Sequence, residues 1–445
     1  MTMRTGPRRS RAVGKRPMTI RVLCTGDVHI GRQPRGLPEG LDARALGPAA
    51  AWEAFVRTAI EARVDAVALT GDVVDEANRF FEAYSVLQAG LARLVEAGVA
   101  VFAVAGNHDA DVLARLADQM PQVRLLGRGG QWEEAFLPGP DGAPIARFFG
   151  WSFPGRCVAS DPLAGKLLVA RPLPTIGLLH CDVDASGSTY GPVTLAELKA
   201  QPVDAWLLGH IHKPTVLFDG APLVLYPGSP QGLDPGEAGP HGPWLVTLEP
   251  GAPPQATMLP LAGLRWEGLE VPLDDVAGEA DFGPAVVAAM RAGHERIRPG
   301  LGQARSVACR LRLTGRTPIH SRLAALAANL LEELSPTFDD VPYFIETVLD
   351  DSRPTLPLAQ IAASSDPAGL LARRLVMLDE RSPADEYEEW IRQGRHAIER
   401  ARNEGPFVGL DAHGDELTEE RVRSLLCRAA WAMLEALLAQ KEGAA

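Results

Sequence analysis

Apolar residues in this chain come in short runs that stop abruptly at glycine. Residues 101–105 (VFAVA) end at Gly106 and pass straight into Asn107, His108 and Asp109. A run of that length bounded by glycine predicts a strand buried on both faces. The arrangement recurs. Residues 19–25 (TIRVLCT) lead to Gly26, Asp27, Val28 and His29, and residues 65–70 (DAVALT) lead to Gly71, Asp72 and then Asp75. Residues 175–179 run into His180, and residues 205–208 into Gly209, His210, Ile211 and His212. Helical spacing lies between the first three: residues 49–62, with Trp52, Phe55, Val56 and Ile60 on one face, and residues 80–96, closed by Gly98. Strand–helix–strand–helix–strand order predicts right-handed crossovers and a parallel sheet.

The pattern then loosens. Residues 111–119 read as a helix, and short strands are expected near 123–126, 132–137 and 145–150, with Gly and Pro dense between them. Residues 223–226 are a strand meeting the turn Pro227-Gly228-Ser229-Pro230. Residues 244–248 and 257–259 read as closing antiparallel strands. A boundary falls near 262–266. Beyond it, 264–273, 285–292, 306–313, 320–334 and 343–349 read as β-α-β-α-β, a small second α/β domain. Pro354 and Pro357 mark a linker, and from about 358 the periodicity is helical: 370–378, 385–402 and 418–438. Ser382-Pro383 is expected to cap the middle helix and Thr418 the last. The organisation expected is thus a basic arm at 1–17, a first domain at 18–262, a cap domain at 263–352 and a helical region at 353–445.

Composition narrows the class. The chain has 445 residues, 46% hydrophobic and 22% charged, an ordinary globular balance. No apolar run reaches the length of a membrane span. Residues 1–17 are basic but lack an apolar core segment, so they are not a secretory signal. They read either as a disordered arm or as the product of an early start codon. The five cysteines are scattered without C-x-x-C spacing, which points to the cytoplasm and away from a thiolate metal site. A net charge of −12 gives no bulk steering toward nucleic acid, so any DNA contact must come from a local patch or from metal ions.

Five of the ten histidines stand at the strand ends just described. A parallel sheet sets neighbouring strands about 4.8 Å apart, so these residues are expected to converge on one crevice at the carboxyl edge. Carboxylate, imidazole and amide oxygen without thiolate suit Mn²⁺, Fe²⁺ or Zn²⁺. Alternate residues of D-x-H and H-x-H extend the same way. The ligands are too many for one ion and about enough for two, the arrangement that polarises a phosphoryl oxygen and generates hydroxide at neutral pH. One such motif alone would be an ordinary buried histidine; five in order, each after an apolar run, are hard to explain as packing.

GDVH, GDVVD, GNHD, His180 and GHIH resemble the five motifs of the calcineurin-like metallophosphoesterase superfamily, over roughly residues 19–260. DVHIG, LGHIHKP and YPGSPQG, with a cap and a helical tail to follow, resemble its DNA-repair exonuclease branch, the SbcD and YhaO type. The resemblance implies an αββα sandwich of two mixed sheets, with a small α/β cap and a helical C-terminal region. It implies that Asp27, His29, Asp72 and His212 hold one ion, that Asp72 bridges, and that Asn107, His180 and His210 hold the other, with Mn²⁺ placed ahead of Fe²⁺ and Zn²⁺. His108 would face the substrate as general acid or as donor to the phosphoryl oxygen, with Asp109 orienting its ring. Asp75 would position the phosphate strand or support the site as a neighbouring carboxylate. The Pro227–Pro230 turn would seat a phosphate on its amides or serve only as a tight turn.

The function implied is a DNA exonuclease or endonuclease of a repair complex. The alternative is a small-molecule phosphodiesterase or phosphatase; a scaffold with a vestigial site is a third reading, opposed by the complete ligand set. The implied partners are DNA and an SMC-like coiled-coil ATPase, with no membrane. Arg32, Arg35 and Lys213 flank the metal motifs, and Arg32 and Arg35 lie in the loop after the first, where a backbone phosphate could be held. Two apolar stripes in the tail, Leu370, Leu371, Leu375 and Leu378, and Trp431, Leu434, Leu437 and Leu438, either pack internally or receive the ATPase. The acidic face around Glu386–Glu389 reads as solvated. Phe80, Phe81 and Tyr84 either serve a homodimer, as in the branch, or belong to the core.

Overall fold

The computed structural model describes residues 19–38, 40–75, 82–166, 168–380, 385–402 and 417–443. The expectations for the N-terminal arm, for Phe80 and Phe81 and for the Ser382-Pro383 cap lie outside them. The first part of the chain runs β1 (Ile20–Thr25), α1 (Pro48–Glu61), β2 (Ala66–Leu69), α2 (Glu82–Glu96), β3 (Ala100–Ala103), α3 (Ala110–Gln119), β4 (Val123–Leu125), β5 (Glu133–Pro138), β6 (Pro144–Trp151), β7 (Thr175–His180), α4 (Leu195–Ala200), β8 (Ala205–Gly209), β9 (Thr215–Phe218), β10 (Leu223–Tyr226), β11 (Trp244–Leu248) and β12 (Gln255–Met258). These strands form two six-stranded sheets, ordered β12-β11-β1-β2-β3-β4 and β5-β6-β7-β8-β10-β9. Strands β1 to β4 are parallel, with β11 antiparallel to β1. Strands β6, β7, β8 and β10 are parallel, with β5 and β9 antiparallel at the edges.

Alternation along the strands builds the layers. In β1, Ile20, Val22 and Cys24 face the second sheet, while Leu23 joins α1 and α2 on the outer side. In β7, Ile176 and Leu178 meet the first sheet, and Leu179 packs outward with Trp206 and the α4 residue Leu198. Phe102 and Phe148 stack across the inter-sheet core, centroids 3.8 Å apart and rings 7° from parallel, an arrangement that contributes about 0.5–1.5 kcal/mol beyond burial. The result is the αββα sandwich. Tyr84 packs against the first sheet's outer core and donates to Gln119 Oε1 at 2.6 Å within the chain.

The rest runs β13 (Leu264–Pro272), α5 (Glu279–Ile297), β14 (Ser306–Thr314), β15 (Arg316–Thr317), α6 (Leu323–Glu333), β16 (Thr337–Phe338), β17 (Val341–Asp350), β18 (Arg353–Pro354), α7 (Leu358–Ala362), α8 (Pro367–Glu380), α9 (Asp385–Arg402) and α10 (Glu419–Gly443). The chain divides into two compact units. The first runs through Val271 and takes in Gly283–Arg312 and Ala325–Leu349. Besides the sandwich it holds the sheet β13-β14-β17-β16, cored by Trp266, Ala308 and Phe344. The second unit comprises Pro272–Phe282, Leu313–Ala324 and the chain from Asp350. There the two apolar stripes meet largely each other: Leu371 and Leu375 pack with Trp431, Leu434, Leu437 and Leu438, while Leu370 stays exposed. Thr418 Oγ1 accepts from Arg421 N at 3.3 Å, capping α10 as expected. No helix among the described residues is long and apolar enough to cross a membrane.

Candidate metal centre

The carboxyl ends of β1, β2 and β3 deliver Asp27 and His29, Asp72 and Asp75, and Asn107 and His108 to one edge of the first sheet. The ends of β7 and β8 deliver His180, His210 and His212 from the second. The backbone there is unusual: Asp27, His29, Asp72 and His210 all have positive φ, at 49°, 51°, 51° and 100°. Each such residue costs about 1–3 kcal/mol and persists only where its surroundings over-determine it. The surroundings do so. Asp27 N donates to Gly71 O at 2.9 Å, His29 N to Asp72 O at 3.0 Å, and Ile30 N to Val73 O at 2.9 Å. Close approach also explains two glycines. A Cβ on Gly106 would overlap the Asp72 carboxylate, and one on Gly209 would overlap Thr70 O and crowd His180 Nδ1.

Three groups of side chains converge, each with ligand atoms within 4.8 Å of one another: Asp27, His29 and His212; Asp27, Asp72 and His180; and His29, Asp75 and His108. Asp27 is common to the first two, with its carboxylate fixed by the His210 amide at 3.0 and 3.1 Å. Asn107 Oδ1 joins the second group, 3.1 Å from His180 Nε2. His210 has Nε2 3.4 Å from Asp182 Oδ1 and its ring 5.3 Å from that of His180 and 4.5 Å from that of Tyr190. Asp72, the expected bridge, has Oδ2 3.4 Å from His180 Nε2 and 4.0 Å from His108 Nε2. Asp75 Oδ1 lies 3.7 Å from His29 Nδ1 and 3.3 Å from Arg32 Nε, so the Arg32 charge is already engaged within the chain.

The donor set fits cations. His180 Nδ1 donates to Thr70 O at 3.0 Å, which leaves Nε2 a lone pair aimed among Asn107 Oδ1 and Asp72 Oδ2. His212 Nδ1 donates to Glu237 Oε1 at 2.7 Å, which leaves its Nε2 facing His29 Nε2 at 3.2 Å. His29 can donate from Nε2 to that lone pair, while the carboxylates and lone pairs gathered around His180 are stabilised by positive charge among them, whether a proton or a cation. The field of the site shows in its titrations. Burial alone would raise the Asp72 carboxyl, but His180, His29 and His108 hold it below the usual range. Burial would lower His180, yet Asp72 and Asp27 raise it. His212 is likewise raised against burial, by Glu237 and Asp27. His210 and His108 are lowered, chiefly by burial.

Asp109 corrects an expectation. Its side chain does not touch the His108 ring. One oxygen accepts from Val73 N at 2.6 Å and Val74 N at 3.4 Å, and the other from Gly106 N at 3.0 Å. Asp109 closes the second loop on the third, and burial next to Asp72 pushes its carboxyl up to about 7. His108 is oriented through its backbone, where its N–H meets Asp72 Oδ1 at 2.9 Å, while its Nδ1 has no partner. The Pro227–Pro230 turn is a fastening: Ser229 N donates to His212 O at 2.8 Å, and Ser229 is fully buried. Residues the motifs did not point to also take part. Asp182 was open to discovery, because H-x-D repeats the alternate spacing of D-x-H. Glu237 was not, because it lies 25 residues from His212 in a loop without periodicity.

Two family models match: the calcineurin-like phosphoesterase domain over residues 20–214, and the middle domain of metallophosphoesterase YhaO over residues 266–353. The chain carries a calcineurin-like phosphoesterase domain. It is 32% identical over 236 residues to the uncharacterized metallophosphoesterase YhaO of Bacillus subtilis, covering 52% of this chain and 57% of that protein. It is 31% identical over 113 residues to the DNA double-strand break repair protein Mre11 of Methanosarcina mazei, covering 25% of this chain and 18% of that one. The matches therefore span little more than half of YhaO and less than a fifth of Mre11. A solved structure, TT1561 of Thermus thermophilus, aligns with 17% identity over 54% of this chain and 99% of that one, at a TM-score of 0.33.

Proposed function

We propose that this phosphoesterase is a two-cation DNA nuclease of a repair complex, using Mn²⁺ in the cytoplasm beside an SMC-like coiled-coil ATPase. The observation that carries the phosphoesterase chemistry is the convergence of Asp27, His29, Asp72, Asn107, His180 and His212, built on strained backbone with His108 at its mouth. Bound cations would polarise a phosphoryl oxygen and lower the pKa of attacking water. The chain's own residues do the rest. His180 and His212 are held in one tautomer by Thr70 O and Glu237. His108 is a third exposed, and burial holds its ring below the ordinary imidazole pKa, which favours the neutral form that acts as a hydrogen-bond donor to the phosphoryl oxygen. Asp109 and the Gly106 turn fix that donor's position. DNA as substrate is supported by the similarity to the DNA double-strand break repair protein Mre11; the ATPase partner is proposed from the motif resemblance alone.

A cavity beside the centre favours a second reading. About 330 Å³ in volume, it opens beside Asn107 and His108 and is lined by Phe153, Gly155, Arg128 and Arg156 among others. Its size suits a single organic phosphoester, and Arg156 and Arg128, the latter paired with Asp118 at 2.7 Å, line it together with Asp111. Turnover of linear duplex DNA, bis-p-nitrophenyl phosphate and a cyclic nucleotide by the Mn²⁺-loaded protein separates the readings. DNA degradation that the small esters do not match supports the nuclease; brisk ester hydrolysis with intact DNA supports the alternative. Co-purification from the native host tests the ATPase, and capture of no coiled-coil ATPase would sink that part.

A further inference from the structure

The loop from Ser229 to His241 contains no helix or strand, yet Ser229, Glu237 and His241 turn inward on one another. Glu237 is the hub. Its Oε1 receives His212 Nδ1 at 2.7 Å, and its Oε2 receives Leu233 N at 2.8 Å and Ser229 Oγ at 3.3 Å. The backbone of Glu237 is held in turn: its carbonyl lies 2.9 Å from His241 Nε2, and its N–H donates to Asp234 O at 3.0 Å. The other nitrogen of His241 lies 2.8 Å from Ser229 O and 3.2 Å from Ser229 Oγ. Ser229 closes the circuit, donating its N–H to the carbonyl of His212 itself at 2.8 Å. Both the ring and the backbone of His212 are thus gripped by one buried network. That network contributes no atom to the three converging groups.

We infer that Glu237, locked by Ser229 and His241, is the positioning residue that makes His212 a ligand. By accepting the Nδ1 proton it dictates which nitrogen carries hydrogen, and so presents Nε2 as a lone pair on the side of Asp27 and His29. A ligating histidine whose far nitrogen is held by a carboxylate is more basic and cannot swing, and loss of such a partner weakens metal affinity by about 10–100-fold. His180 is held differently, by the carbonyl of Thr70. The effect of removing Glu237 should therefore fall on one cation position and leave the other.

The inference rests on the cation-binding reading of the pocket and is independent of the substrate. Calorimetric titration of the full chain with Mn²⁺ tests it. The unmodified protein should bind two ions. Glu237→Ala should weaken one of them about 10–100-fold and spare the second, and Glu237→Gln, which can still accept the Nδ1 proton, should recover part of the loss. A folded Glu237→Ala protein that binds both ions with unchanged affinity overturns the inference. An unmodified protein that binds no Mn²⁺ overturns the metal centre and this inference together. If Glu237→Ala does not fold, ¹⁵N NMR of the unmodified protein at alkaline pH decides: His212 protonated on Nδ1 and bare on Nε2 is expected, and the reverse tautomer contradicts the assignment.

Discussion

At the edge of the sandwich, four residues of the candidate centre hold positive φ and carboxylates are buried beside one another. In the C-terminal helices, Leu375, Trp431 and Leu434 pack at ordinary helical spacing, and no non-glycine residue described there has positive φ. Local propensity alone would favour the helices and disfavour the loops. The sandwich tolerates its strain because two six-stranded sheets with a dry core lie beneath it, and because loops one and two are hydrogen-bonded to each other. At this edge the chain breaks local rules while gathering groups that can hold cations; the C-terminal helices keep those rules and build an apolar core.

Substitutions put that contrast to the test. Asp72→Ala should do the most damage, because it removes a carboxylate from the centre; phosphodiester hydrolysis should fall about a thousandfold or more, since cation stabilisation is worth several kcal/mol and each 1.4 kcal/mol is tenfold. Retained activity would mean the strained loops are not the active site. His108→Ala should cost about 10²–10⁴ in rate while Mn²⁺ stoichiometry stays at two. In the helices the pattern should invert: Leu375→Ala should lower stability by about 2–5 kcal/mol in denaturant unfolding and leave cation affinity unchanged. A loss of affinity there would show that the two regions are not independent.

The remaining effects are smaller. His180 and His212 are raised by neighbouring carboxylates, and a ligand must be neutral to bind. Protons therefore compete up to higher pH than for a free imidazole, so Mn²⁺ affinity should weaken on acidification, starting at a higher pH than for a free imidazole, and level off in alkali. A flat profile between about pH 6 and 8 would argue against imidazole ligands. Last, Cys157 is exposed and should react first with a thiol reagent. Cys427, buried in the helices, should follow, well before Cys24, which burial pushes up to about 12. Equal rates at Cys24 and Cys427 would remove the difference in local stability between the regions.

Most of the centre was legible in the sequence because each ligand directly follows an apolar run, and strand ends in one sheet must share an edge. The strands followed from the same runs, and the C-terminal helices from their period; the two-sheet sandwich was implied by the motif resemblance. What stayed hidden depends on contacts between loops. The resemblance implied that Asp109 orients His108, but at the start of α3 the Asp109 carboxylate turns back to Val73, Val74 and Gly106. Glu237 is fixed by a loop whose path no periodicity announces. Strand β9 was missed because Thr215–Phe218 is four residues long, partly exposed and at a sheet edge.

The metal centre stands or falls on anomalous diffraction from crystals soaked in Mn²⁺. Two peaks about 3.5–4 Å apart are expected, one touching Asp27, His29 and His212 and the other touching Asp72, Asn107 and His180. A single peak, or two peaks away from these side chains, would contradict the assignment.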